Sequence, residues 1–105
     1  MNLNEYQTAA AETAVYPRNG NNALIYTALG LASEAGEVAG KVKKMIRDNV
    51  WQRDAVKAEL GDVLWYVAAM ASEVGFTLED VAQANIDKLT DRKRRDRLRG
   101  DGDYR

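Results

Sequence analysis

Leu60-Gly61-Asp62-Val63-Leu64-Trp65-Tyr66-Val67-Ala68-Ala69-Met70-Ala71 contains a single charged residue, Asp62. Wound as a helix, it is apolar on nearly every side, and such a helix is surrounded by protein. Val56, Leu60, Val63, Val67, Met70 and Val74 recur along it at alternating intervals of four and three residues. Upstream, Leu24, Ala28, Leu31, Ala35, Val38, Val42 and Met45 repeat the same rhythm. Both read as heptad-like seams suited to packing helix on helix. The few residues between them predict an antiparallel hairpin.

The rest of the chain is built outward from that hairpin. Pro occurs once, at Pro17, the eight Gly are scattered, and no segment alternates with period two. This predicts an all-α protein of four helices, a four-helix bundle-like single domain over residues 1–105. The first helix is expected over about 3–14, ending before the turn-forming Tyr16-Pro17-Arg18-Asn19-Gly20-Asn21-Asn22 loop. The second runs from about Ala23, N-capped by Asn22, to about Arg47, and the third from about Arg53 to Val74. Thr77-Leu78-Glu79-Asp80 resembles a capping box with Asp in place of Glu and opens a fourth helix to about Arg95. An irregular tail is expected from about 96 to 105.

Composition narrows the chemistry. There are 105 residues, with 15 Lys plus Arg against 16 Asp plus Glu, and a net charge of −1. The absence of Cys excludes disulfides, zinc–thiolate sites and thiol nucleophiles; the absence of His excludes imidazole catalysis and His-ligated metals. Catalysis must therefore rest on carboxylates, Lys, Arg, Tyr or a hard metal ion. No basic stretch followed by an apolar one opens the sequence, and no run approaches membrane-spanning length. A soluble cytoplasmic protein is the expectation.

With the seam residues labelled a and d, Glu34 and Glu59 fall at g, and Glu37 and Asp62 at c. In an antiparallel pair g-edges face one another, so two i, i+3 carboxylate pairs point into one margin of the hairpin. The ordinary alternative is a solvated surface with Glu37–Lys41 as an i, i+4 ion pair. Context argues otherwise: from Ala23 to Gly40 only Glu34 and Glu37 are charged, and the neighbours of Asp62 predict its burial. Unpaired buried carboxylates cost several kcal/mol each, and four together repel. Something positive belongs among them. Oxygen donors without His or Cys suit Mg²⁺ or Mn²⁺. Lys41 and Lys44 continue the stripe one and two turns beyond Glu37, an arrangement that holds phosphate chains beside a metal.

Thr27 and Gly30 continue that edge toward the start of the second helix and face Tyr66 and Ala69. Small residues there leave a groove, with Tyr66 as a base-stacking wall; equally, Gly30 serves close helix packing. Trp65, at f, is expected in the core under the first and fourth helices or at an oligomer interface. The third helix is apolar on more faces than three neighbours cover, which predicts a homo-oligomer, a dimer of dimers rather than a dimer.

The Glu34-x-x-Glu37 pair, 21 intervening residues, and Glu59-x-x-Asp62 resemble the signature of MazG-like enzymes of the all-α nucleoside triphosphate pyrophosphatase superfamily. Leu29-Gly30-Leu31-Ala32-Ser33-Glu34-Ala35-Gly36-Glu37-Val38 and Glu59-Leu60-Gly61-Asp62-Val63-Leu64-Trp65-Tyr66 are similar to its two core segments. Asn85-Ile86-Asp87-Lys88-Leu89 with Arg92-Lys93 resembles its downstream element, and Gly100-Asp101-Gly102-Asp103 is similar to the tail of short phage-borne members. The resemblance implies Mg²⁺-dependent hydrolysis of a nucleoside triphosphate to its monophosphate and pyrophosphate. It implies that Glu34, Glu37, Glu59 and Asp62 hold the metal; on chemical grounds one carboxylate, Glu34 or Glu37, takes the proton from a metal-acidified water. Asn85, Lys88 and Arg92 would contact ribose or phosphates, in dimers or tetramers with composite sites. A phosphoribosyl-ATP pyrophosphatase is the near alternative. The distant one is a non-enzymatic helical module using Arg92–Arg99, which holds six bases and one acid, on nucleic acid or a protein. A nucleotide rather than nucleic acid is the expected partner.

Overall fold

The computed structural model describes residues 1–95 and 100–103. Among them are four helices and no strand: α1 (Leu3–Ala11), α2 (Asn22–Asp48), α3 (Arg53–Glu73) and α4 (Leu78–Arg94). The expected all-α architecture is therefore present. Residues 96–99 and 104–105, which carry half of the basic run and most of the expected tail, lie outside the described residues.

Local chemistry sets the ends. Asn2 opens α1 with a capping box: its Oδ1 accepts the Glu5 N–H at 2.8 Å, and the Glu5 carboxylate accepts the Asn2 N–H at 3.4 Å. The helix stops at Ala11 rather than near 14, because Thr13 and Ala14 direct their N–H groups to carbonyls three residues back, on Ala10 and Ala11. The Thr13 hydroxyl makes a second claim on the Ala10 carbonyl. Asn22 is the first residue of α2 rather than its cap; Asn21 takes that position without a side-chain bond. The α2–α3 turn pivots on Asn49, whose φ of 52° is left-handed and tolerable for Asn. Thr77 and Asp80 form the expected reciprocal box at the start of α4, at 3.0 and 3.4 Å.

α2 packs along α3; α1 packs on α3 and α4, and α4 on α3, while α2 and α4 do not touch. Gln7 ties three elements together. Its amide N–H donates to the Ser72 hydroxyl (2.9 Å) and the Phe76 carbonyl (3.1 Å), and its Oε1 accepts the otherwise orphaned Leu78 N–H of α4 at 2.7 Å. The long loop is pinned at its start. The Tyr16 hydroxyl donates to Glu73 at 2.7 Å, Arg18 pairs with the same carboxylate at 2.6 Å, and the Tyr16 ring stacks on Tyr26.

The buried line of the hairpin is turned relative to the a/d reading. Ala23, Thr27, Met45, Ala68, Ala69 and Ala71 are buried, and Gly30, Leu31, Glu34, Val38, Glu59, Val63 and Tyr66 are half-buried. The expected seam residues Leu24, Ala28, Ala35, Val42, Leu60 and Val74 are exposed. α2 carries two apolar stripes, and the one interrupted by Thr27 and Gly30 lets α3 approach and Tyr66 enter. Much apolar surface stays open, including Ile25, Leu29, Ile46, Trp51, Phe76 and Ile86. The radius of gyration is 16.4 Å, against about 13 Å for a compact domain of this length.

Candidate metal centre and phosphate-binding residues

The rotation of the hairpin moves two carboxylates from its margin into its interface. Glu34 on α2 and Glu59 on α3 are half-buried, and Asp62, one turn along α3 from Glu59, is exposed. This corrects the expectation that Asp62 is buried: its apolar neighbours in sequence point elsewhere, and its own carboxylate opens to solvent. One oxygen from each of Glu34, Glu59 and Asp62 lies within 4.8 Å of the others. Glu37 is exposed and outside this convergence.

Among the described residues no ion pair involves any of the four acids. The Glu37–Lys41 pair does not form. Desolvation pushes the Glu34 carboxyl above its ordinary range, and the charges of Asp62, Glu59 and Glu37 push it further. Burial likewise raises the phenol of Tyr6, with Asp62 adding to it. An all-oxygen trio, short of positive charge and open to solvent at Asp62, fits a hard divalent cation by its donor set.

Beside the trio is a cleft of about 340 Å³ lined by Thr13, Glu34, Asp62, Trp65 and Tyr66. Tyr66 does not present a free stacking face. Its ring lies directly over Gly30, where a Cβ would overlap the Tyr66 Cε1 edge. Trp65 meets it edge-on at 4.9 Å, and Tyr26 is tilted against it at 6.4 Å. Gly30 thus makes room for a ring. Trp65 packs beside the end of α1, its indole N–H donating to Thr13 Oγ1 at 2.8 Å. Sequence reasoning passed over Tyr6 and Thr13. No helical spacing signals the pair, because Tyr6 lies on α1 and Thr13 in the turn beyond its end.

The remaining expected residues are elsewhere. Lys41 is half-buried and Lys44 exposed, and neither makes an ion pair among the described residues. Lys44 instead helps Arg47 hold the Asp48 carboxyl below its usual range, the Arg47 hydrogen bond being the larger cause. Asn85 and Lys88 line a separate open groove of about 580 Å³ with Phe76, Asp80, Val81 and Ala84. Lys88 Nζ is 3.1 Å from Asp103 Oδ1, and buried Arg92 donates to the same carboxylate and to the Asp103 carbonyl. Within one chain the cations of α4 are therefore not brought to the acids of α2 and α3.

An all-helical fold with converging carboxylates on its central hairpin defines a class of oxygen-ligand, carboxylate-centred proteins. The family of MazG nucleotide pyrophosphohydrolase domains matches residues 24–95, and the chain belongs to that family, a group of pyrophosphohydrolase-type hydrolases. It is 46% identical to the Gene 37 protein of Mycobacterium phage L5 over the full length of both. It is 36% identical to the uncharacterised protein YvdC of Bacillus subtilis over 72 residues, 59% of this chain and 68% of that one. No solved structure matches significantly. Among the described residues no helix is long and apolar enough to cross a membrane.

Proposed function

We propose that this protein is a metal-dependent nucleoside triphosphate pyrophosphohydrolase, converting a (d)NTP and water to the (d)NMP and pyrophosphate in the cytoplasm. The observation that carries the reading is the cation-free convergence of Glu34, Glu59 and Asp62 inside the family-matched segment. These three would hold Mg²⁺ or Mn²⁺, which when bound neutralises phosphate oxygens and acidifies water.

Glu37 sits one turn along α2, exposed and outside the trio. Its carboxylate is free to take the proton as a water oxygen attacks the α-phosphorus and the bond to the bridging oxygen breaks. Lys41 and Lys44 flank that turn for the departing pyrophosphate. Tyr66, clamped over Gly30, serves as a fixed side wall of the cleft. Asn85, Lys88 and Arg92 bind ribose and phosphates. Because no ion pair links Lys88 or Arg92 to the carboxylate trio among the described residues, these residues serve a hairpin supplied by a second copy, and the exposed apolar faces support a homo-oligomer, a dimer of dimers. All 105 residues act as one unit, since α1, outside the family match, packs on α3 and α4.

The test is a panel of canonical and modified (d)NTPs, with phosphoribosyl-ATP among them, incubated with Mg²⁺, Mn²⁺ or chelator. Pyrophosphate plus monophosphate, only with metal, is expected. Inorganic phosphate plus a diphosphate would overturn the assignment, and turnover of phosphoribosyl-ATP alone would move the protein to that neighbouring activity.

A further inference from the structure

We infer that Asp103 is the resident anion of an exchangeable phosphate seat on α4, which the phosphate chain of a nucleotide enters by displacing it. The inference rests on the reading that Lys88 and Arg92 bind phosphate. Those two residues are one turn apart on α4 and converge on one carboxylate oxygen, at 3.1 Å from Lys88 Nζ and 3.4 Å from Arg92 Nη2. Gly102 makes the approach possible: its φ of +80° lies where side chains are rarely tolerated. Both cations draw the Asp103 carboxyl below its ordinary range, Lys88 more strongly.

The burial of the three partners argues for exchange over permanent bracing. The Arg92 side chain is 5% exposed and its guanidinium meets Asp103, whereas the Asp103 side chain is 72% exposed. A buried guanidinium needs an anion, but an exposed carboxylate holds one weakly, because solvent screens the pair. A triphosphate brings more charge and more acceptor oxygens to the same two donors. The seat also has an approach. Lys88 lines the open groove of Phe76, Val81 and Asn85 as well as pairing with Asp103, so a ligand lying in that groove meets the seat at its end.

The probe is inorganic tripolyphosphate, titrated calorimetrically in chelator-containing buffer into the wild type, Asp103→Asn and Lys88→Met. Asp103→Asn keeps the shape and the backbone carbonyl that Arg92 uses while removing the competing charge. It should bind about three- to tenfold more tightly than wild type, the range one or two exposed charge pairs supply. Lys88→Met should bind about tenfold more weakly. Weaker binding by Lys88→Met with Asp103→Asn unchanged would leave the phosphate reading standing and overturn the exchange. Weaker binding by Asp103→Asn would also overturn it, since Asp103 would then brace the cations. No difference among the three, or no binding to any, would remove the phosphate reading and the inference together. Asp103→Ser replaces the Asn variant if circular dichroism shows that variant unfolded.

Discussion

At the α2–α3 hairpin three carboxylates meet with no cation among them; at the end of α4 two cations meet on one carboxylate of the same chain. The first arrangement is short of positive charge, and the second already holds part of its balancing charge. One is built to receive a cation from outside, the other already holds the kind of group it would bind. Both put charge beside apolar surface, where unbalanced charge is costly. The two ends differ in whether the balancing ion is part of the chain.

The contrast breaks most visibly at Asp62. Asp62→Asn keeps the side chain's shape and removes one of the three converging charges. Turnover should fall by at least about a hundredfold, because changes even to groups behind metal ligands cost ten- to hundredfold. In chelator the variant should melt no lower than the parent, since no cation pairs with Asp62. A clearly lower melt in chelator with turnover intact would mean that Asp62 is structural.

Arg92→Met addresses the opposite end. The long apolar side chain fills the same space but removes both bonds to Asp103. Hydrogen bonds to charged groups contribute about 1.5–3 kcal/mol each, tempered here by the exposure of Asp103, so a loss of about 2 kcal/mol is expected in urea unfolding. An unchanged midpoint would show that the tail contact contributes nothing to the fold. Gly30→Ala should cost about 1 kcal/mol net. Overpacking against the Tyr66 ring costs about 1–3 kcal/mol, and the gain in helix propensity returns somewhat less than 1 kcal/mol. In a Tyr66→Val background the same substitution should cost nothing, and a persisting cost would place the clash elsewhere.

The smallest effect separates the ends by sign. The Glu34 carboxyl is raised in the fold, so its stabilising contribution is full below the unfolded value and lost as pH rises through the raised one. That of Asp103 is lowered, so its contribution is full above the unfolded value and lost as pH falls through the lowered one. In chelator, melting curves of Glu34→Gln should lose the first slope and those of Asp103→Asn the second. Parallel shifts in both would contradict the electrostatic contrast.

Much of this is legible in the sequence. The 4-3 rhythm gave the hairpin, and Thr77 with Asp80 gave the start of α4, because caps and apolar periods are local. The Glu34, Glu59 and Asp62 convergence was legible as a common margin. The phase of the seam was not, since α2 carries two apolar stripes and only packing chooses which one faces α3. Nor was the exposure of Asp62, which follows from that choice. Lys88 and Arg92 read as free cations because their partner lies 15 and 11 residues downstream, past two glycines that leave no periodic signal. Tyr66 was correctly set against Gly30, but the aromatic box around it depends on Tyr16 and Tyr26, whose meeting is set by the loop.

The open dimensions of the chain carry one more consequence. Inverting the usual relation between size and chain length, a radius of gyration of 16.4 Å belongs to a compact globule of about 200 residues. The envelope swept by these 105 residues therefore has room for roughly as much protein again. In small-angle scattering, a second chain filling that vacancy would double the forward intensity at fixed mass concentration while leaving the radius nearly where it was.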